Sequence, residues 1–454
     1  MTINVPESIV EICRTLTTAG FETVVVGGAV RDSLMGVTPH DWDVATSATP
    51  EQVTATFGSR VRSNNGEAHG TVLVLTVDGE PCEVTTFRRD VSCDGRNAVV
   101  AFTTNLREDL ERRDLTINAI AFDPITGAFT HPANAMSDIE RRIIRFVGNG
   151  VDRIREDRLR ALRAIRFVIQ VNGLFAMETV NDIQEAVNQG LLPGPLSIER
   201  VRDELLKLIV LPHADDGLRV WNWFGLMDIF LPEVSRMDGV LQNVFHQYDV
   251  FEHTMHAIAN ANVTLPDVDL TTLRMAMLLH DVGKPPTAEY RKDYGYTFID
   301  HQVVGANIAL EICNRLRLEN AMTNKVVTAV AEHMSVPGER STTNASWVRR
   351  WARRLGDNVN LMLDVHFADK VSVGVWTREA VLEEIGFIRG VLDTTPVVKI
   401  NTLVNGHDVM RITGEAPGPR IGRILEAVSE FADENPAADR EVLLEYIEAI
   451  QNLI

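Results

Sequence analysis

Asp41 and Asp43 flank a single tryptophan in the run GGAVRDSLMGVTPHDWDVAT, residues 27–46, which also holds Gly27, Gly28 and Arg31. In an extended strand, residues i and i+2 point to one side, so the two carboxylates would face one point while Trp42 packs behind them. Converging carboxylates repel one another unless a cation sits between them. A hard-oxygen pair suits Mg2+, which takes one or two carboxylates together with substrate phosphates. Gly27 and Gly28 would let the main chain approach a triphosphate, and Arg31 would add charge-assisted donors to its oxygens. The chemistry implied is nucleotidyl transfer. A two-metal arrangement needs a third carboxylate on a neighbouring strand, and Glu83 in CEVTTF is the best placed by sequence.

A helical stretch further along offers a way to read a base. In REDRLRALRAIRF, residues 155–167, Asp157 and Arg160 stand three apart on one helix face, and Arg163 and Arg166 continue the stripe. A carboxylate only accepts hydrogen bonds and a guanidinium only donates them. Cytosine and adenine each present an amino donor beside a ring-nitrogen acceptor, which such a pair complements. Uracil and guanine would put a carbonyl against the carboxylate. The lost bond and the unpaired acid would cost a few kcal/mol, on the order of a hundredfold in selectivity. The competing reading of this helix is a solvated salt-bridge face.

Histidines supply a third set: His246, His253 and His256 in HQYDVFEHTMHAI, His280-Asp281 in LLHDVGKP, His301, His333, and His366 with Asp369 in DVHFADKVS. Adjacent His and Asp on a helix offer imidazole nitrogen and carboxylate oxygen, a set suited to a divalent transition metal with positions open to phosphate and water. His407-Asp408 has the same dipeptide but no companion ligands and lies beside a glycine turn, which reads as a structural feature.

These residues need elements to hold them. At 454 residues the chain exceeds one ordinary core, and at about 150 residues per domain it suggests roughly three units. Residues 22–30, 71–77 and 82–87 read as strands, so residues 1 to about 145 form a mixed α/β unit. From about residue 153 helical periodicity takes over, with Leu159, Leu162, Ile165 and Val168 three apart and IERVRDELLKLIV repeating the pattern. LLPGPLS and TLPDVD mark loops. A net charge of −19 argues against a generic nucleic-acid coat but leaves room for a local basic groove. Cys13, Cys82, Cys93 and Cys313 form no CxxC pair, which suggests reduced thiols. Neither a secretion signal nor a membrane-length apolar run is evident, so a cytoplasmic location with no membrane partner is expected.

Taken in order, GGAVRDSLMG, DWDVAT, RRDLTINAIAFD (112–123) and REDRLRALRAIRF resemble the class II transfer-RNA nucleotidyltransferase and bacterial poly(A) polymerase family. The resemblance implies an α+β chain: a palm-type mixed α/β nucleotidyltransferase head over 1–145, a helical neck over 146–240, an HD phosphohydrolase-like domain over 241–385 and a helical tail over 386–454. It implies that Gly28 and Arg31 contact the incoming nucleotide, that Asp41 and Asp43 hold metal, and that Arg113, Asp114 and Asn118 line the ribose and phosphates. Glu156, Asp157 and Arg160 would form the base-reading element. One metal would lower the pKa of the primer 3′-hydroxyl and another neutralise the leaving pyrophosphate during in-line attack.

His253, His280, Asp281 and Asp369 resemble the four ligands of the HD phosphohydrolase superfamily, and His301 with His333 would complete a second metal site. The chemistry implied there is hydrolysis of 2′,3′-cyclic or 2′-phosphates on RNA ends. Two features bear on the family member. Where relatives usually carry an acid, proline and a glycine pair, this chain has His131-Pro132-Ala133-Asn134-Ala135, while RRDVSCDGRNAVVAF (88–102) resembles the family's flexible segment. The acidic, apolar end EVLLEYIEAIQNLI argues for a compact tRNA and hence CCA addition from CTP and ATP. CC-only, A-only and poly(A) addition share the same motifs. Arginine for RNA contact is present in RRIIR and in WVRRWARRLG, where Trp347 and Trp351 read more readily as a core seam.

Overall fold

The structure is a computed structural model and describes residues 3–39, 41–62, 70–93, 98–242, 247–293, 295–337, 345–394 and 403–453. His246 lies outside the described residues. The chain forms two compact units, Met1–Pro232 and Glu233–Ile454.

Among the described residues, nine strands belong to the first unit's head: β1 Thr23–Val26, β2 Asp43–Thr46, β3 Val61–Arg62, β4 Thr71–Leu75, β5 Pro81–Thr86, β6 Arg88–Cys93, β7 Ala98–Phe102, β8 Ala121–Phe122 and β9 Phe129–Thr130. Seven of them make one sheet in the order β3-β4-β5-β2-β1-β8-β9, and β6 and β7 pair separately as a hairpin. β1, with three consecutive valines, is buried along its length, as a central strand covered on both faces requires. Val24, Val26, Ala45 and Phe87 pack with Leu106 and Leu110 of the helix Leu106–Glu111. The helix Glu7–Thr18 turns Ile9, Ile12, Cys13 and Leu16 inward. Each such buried aliphatic contributes about 1.5–3 kcal/mol, which fixes the sheet edges on which the site stands.

The one parallel pairing among the seven strands, β2 with β5, matters most for chemistry. Val44 pairs with Val84, so Asp43 and Glu83, each one step earlier, sit side by side and point the same way. One expectation is corrected here: β2 opens at Asp43, and Asp41 precedes it as exposed loop. The side-by-side geometry expected of Asp41 and Asp43 from strand alternation is supplied instead by Asp43 and Glu83 on neighbouring strands.

Helices dominate from residue 150, as expected, with two refinements. The stretch read as one helix is two, Gly150–Glu156 and Leu159–Gln170. Asp157 is extended at φ −145° and ψ 105°, and its Oδ1 accepts the Leu159 N–H at 3.1 Å. An aspartate that caps the following helix ends the preceding one. In the second unit a hairpin, Ala288–Arg291 with Gly295–Phe298, interrupts the helices. The last residues have a core of their own around Val409, Ile424, Val428, Leu443 and Ile447. No helix among the described residues is long and apolar enough to cross a membrane.

Candidate active site and metal centre

Asp43 and Glu83 line a cavity of about 430 Å3 in the first unit, together with Arg112, Arg113, Asp114, Asp157, Arg160 and Arg163. Burial, then the Glu83 charge beside it and the Asp41 charge nearby, raise the Asp43 pKa, and Arg113 acts the other way. Crowded carboxylates with a raised pKa are what a bound cation relieves, and an all-oxygen donor set suits a hard ion such as Mg2+. Asp41 is not on the cavity wall, although Asp43 feels its charge. Gly27 ends the approach to this wall at φ 76° and ψ −135°, a conformation that L-residues avoid. A Cβ there would lie 3.5 Å from Arg113 Nη1 and 3.8 Å from Asp43 Oδ2. Gly28 begins the short helix Gly28–Leu34.

Arg31 differs from expectation. It is buried and off the cavity wall, with Nη1 donating to Asn118 Oδ1 at 2.7 Å and Nε donating to Asp32 at 2.8 Å. Asn118 donates in turn to Asp114 Oδ1 at 3.2 Å, and Asp114 Oδ2 accepts from Arg163 Nε at 2.8 Å. Burial would raise the Asp114 pKa, but Arg163, with help from Asn118 and the Leu115 N–H, brings it below the ordinary value. Arg31, Asn118, Asp114 and Arg163 thus form one chain of bonds that ties the head to the helix Leu159–Gln170. Arg113 is steadied by Asp109 at 3.1 Å. Three of the five Arg31 N–H groups are thus engaged, by Asn118 and Asp32.

The base-reading candidates are also arranged otherwise than one helix face would have it. Asp157 and Arg160 both reach the cavity, and the Arg160 N–H donates to the Asp157 carbonyl at 3.0 Å, but their side chains bind other partners. Arg160 Nη1 donates to Glu156 Oε2 at 2.7 Å and Nη2 to the Arg112 carbonyl at 2.9 Å, while Asp157 is gripped by Arg200. Arg166 lies apart from the other arginines of the stripe: it is buried against Glu204 at 2.6 Å and Gln170 at 2.6 Å, and it does not line the cavity. Arg112 and Arg200 were missed. The doubled arginine of RRD points to Arg112, but Arg200 lies 43 residues from its partner and carries no local signal. At the altered element, Asn134 holds φ 68°, a left-handed conformation that asparagine tolerates better than most residues.

In the second unit, all described members of the predicted metal set converge. His253, His280 and Asp281 form one group and Asp281, His301 and His333 another, with their ligand atoms within 4.8 Å of one another in each. Asp369 Oδ1 lies 3.0 Å from His253 Nε2 and 3.6 Å from His280 Nε2. Asp281 bridges the groups: Oδ2 is 3.2 Å from His280 Nε2, and Oδ1 is 3.5 Å from His301 Nε2. Nδ1 of His280, His301 and His333 contacts the carbonyls of Met277, Phe298 and Val330 at 2.7, 2.8 and 2.7 Å. A ring that donates from Nδ1 leaves the Nε2 lone pair for a metal. The hairpin therefore has a purpose, since it carries Phe298. Gly283 makes the cluster possible as well, because a Cβ there would fall 2.0 Å from the His301 carbonyl. Burial drives the His333 pKa down to about 4, which favours the neutral ring a ligand needs, whereas at His280 burial is outweighed by the Asp281 and Asp369 carboxylates, which push the pKa up to about 10.

Lys284 joins this cluster 2.6 Å from Asp281 Oδ2, and its spacing in HDVGK would have revealed it. His366 belongs elsewhere, 3.2 Å from Glu384. Asp408 of the His407-Asp408 pair completes a capping box with Asn405 and binds Arg440 at 2.6 Å, in keeping with a structural reading. Trp351 is buried with Nε1 on Ser335 Oγ at 3.2 Å, and so belongs to the core seam.

Residues 23–145 match the family described as Poly A polymerase head domain, 194–237 that described as Probable RNA and SrmB- binding site of polymerase A, and 246–373 the HD domain. An A-adding tRNA nucleotidyltransferase of Deinococcus radiodurans is 34% identical over 89% of this chain and 90% of its own. A CC-adding tRNA nucleotidyltransferase of Thermus thermophilus is 31% identical over 92% and 91%. The crystal structure of the Bacillus stearothermophilus CCA-adding enzyme in complex with CTP superposes with a TM-score of 0.75 at 26% identity, covering 98% of both chains. Similarity that runs the length of the chain in both sequence and fold settles the relationship: the protein belongs to the class II tRNA nucleotidyltransferase family, the CCA-adding enzymes, and is an enzyme.

Proposed function

We propose that the head unit adds CCA to the 3′ end of tRNA from CTP and ATP. The observation that carries this reading is the cavity in which the Asp43–Glu83 acid pair and the guanidiniums of Arg112, Arg113, Arg160 and Arg163 share a lining with Asp157. Asp43 and Glu83, with Asp41 beside them, would hold Mg2+, which supplies activation of the primer hydroxyl and charge neutralisation at the leaving pyrophosphate. Arg113 and Arg163 balance the triphosphate, and Asp114 and Asn118 are held ready for the ribose. Asp157 accepts the exocyclic amino group of cytosine or adenine, Arg160 donates to the ring nitrogen, and Glu156 aims Arg160. No covalent enzyme intermediate is required.

The test is to supply a tRNA ending at the discriminator base with CTP, ATP or both, and to sequence the products. CC from CTP alone and CCA from both support the reading; extension by a long A tail contradicts it. A second reading, addition of only A or only CC, is favoured by one specific observation: an A-adding and a CC-adding enzyme are among the relatives that align over about nine-tenths of both chains. The same products decide between them.

For the second unit we infer metal-dependent hydrolysis of 2′,3′-cyclic or 2′-phosphates. His253, His280, Asp281 and Asp369 would hold one divalent ion and Asp281, His301 and His333 another, supplying phosphate polarisation and an activated water. Lys284 steadies the bridging carboxylate. Cyclic-phosphate hydrolysis with Ni2+, Mn2+ or Mg2+ would support this, and no turnover with any of them would leave the centre as a scaffold.

A further inference from the structure

Asp157 is held from outside the cavity it serves. Arg200, on the helix Ile198–Ile209, grips it with two parallel bonds, Nη1 to Oδ1 at 3.0 Å and Nη2 to Oδ2 at 2.8 Å. Asp157 lines the cavity and Arg200 does not. The Leu159 N–H reaches Oδ1 as well, at 3.1 Å. A carboxylate offers about four acceptor positions. Two are filled on Oδ1 and one on Oδ2, so one position, on Oδ2, remains for a donor inside the cavity.

Arg160 is restricted in a matching way. The Arg153 carbonyl at 3.2 Å and Glu156 at 2.7 Å take the two hydrogens of Nη1, and the Arg112 carbonyl at 2.9 Å takes one of the two on Nη2. One fixed acceptor beside a guanidinium held through three of its five N–H groups matches the amino-and-ring-nitrogen edge shared by cytosine and adenine.

We infer that Arg200 is a specificity-determining positioning residue, which fixes the Asp157 carboxylate so that a single acceptor faces the incoming base. The inference rests on the reading of Asp157 as the base acceptor. Without the two-pronged grip, the carboxylate rotates and draws in water. A bridging water can satisfy both the acid and a uracil or guanine carbonyl, and the repulsion that rejects those bases is lost. The ion pair itself is partly exposed, with side-chain exposures of 35% and 28%, so it contributes little to folding and its removal reads out on selectivity.

The experiment measures kcat/KM on a tRNA primer for whichever of CTP and ATP the enzyme incorporates, against UTP and GTP. The parent is compared with Arg200→Ala, Arg200→Lys and Asp157→Asn. Arg200→Ala is expected to lower the ratio of correct to incorrect nucleotide by about tenfold or more. Arg200→Lys, which keeps the charge but not the fork, should fall between. If Arg200→Ala impairs folding, Arg200→Gln takes its place, judged by the same ratio. Retention of the parental ratio in the Arg200 variants while Asp157→Asn loses it would overturn the inference alone. Retention in Asp157→Asn too would remove the base-reading role of Asp157 and, with it, the ground for the proposal.

Discussion

At the scale of single residues, the glycines before the acids separate into two kinds. Both read in sequence as places where main chain approaches a triphosphate, but only Gly27 has a backbone that demands glycine, at φ 76°. Its Cβ would meet neighbours at ordinary contact distance, 3.5 Å at the nearest, so the cost of a side chain there is conformational. Gly27→Ala should destabilise the head by about 1–3 kcal/mol. Gly28, inside a helix, should accept alanine with little change or a small gain. Thermal unfolding of both variants measures the contrast, and equal effects would refute it. The acids show the same limit of sequence reasoning. The Asp-Trp-Asp string pointed to the strand that carries Asp43 and the residue types pointed to Glu83, but spacing within one strand could not reveal that Glu83, on the parallel neighbour, is the geometric partner of Asp43.

At the scale of elements, the site depends on how the helix Leu159–Gln170 is tied to the head. The buried link is Asp114 with Arg163. Because Arg163 outweighs burial and brings the Asp114 pKa below 3.8, the stabilisation is complete above about pH 4 and is lost as pH falls through the lowered value. Arg163→Met leaves a buried carboxylate without its cation and should cost about 2 kcal/mol near neutral pH, discounted for the partial exposure of Arg163. The gap from the parent should narrow at a second, acid pH below about 4, as pH falls toward the lowered value and Asp114 takes up its proton. Urea denaturation at the two pH values tests this, and a gap that widens in acid would contradict it. Sequence periodicity found this helix but drew it too long, because the capping role of Asp157 is a local hydrogen-bond event that apolar spacing does not register. It also could not tell that Arg163 faces the cavity while Arg166 binds Glu204.

At the scale of the whole molecule, the head cavity draws its residues from Met1–Pro232 and the histidine centre from Glu233–Ile454. The two share no side chain. His280→Ala should abolish hydrolysis of a 2′,3′-cyclic phosphate while CMP addition persists, and Asp43→Asn should do the reverse. Joint loss in either variant, with folding intact, would show that the activities are not separable. The convergence of the histidines and Asp281 was legible because their residue types are scarce, whereas Arg200 was hidden among 44 lysines and arginines.

If the Asp43–Glu83 pair performs nucleotide transfer, single-turnover transfer of CMP from labelled CTP to a tRNA ending at the discriminator base depends on both carboxylates. With Mg2+ present, Asp43→Asn and Glu83→Gln are each predicted to slow transfer at least about a hundredfold while leaving the thermal midpoint at or above the parental value. Transfer at the parental rate by either variant would contradict the account.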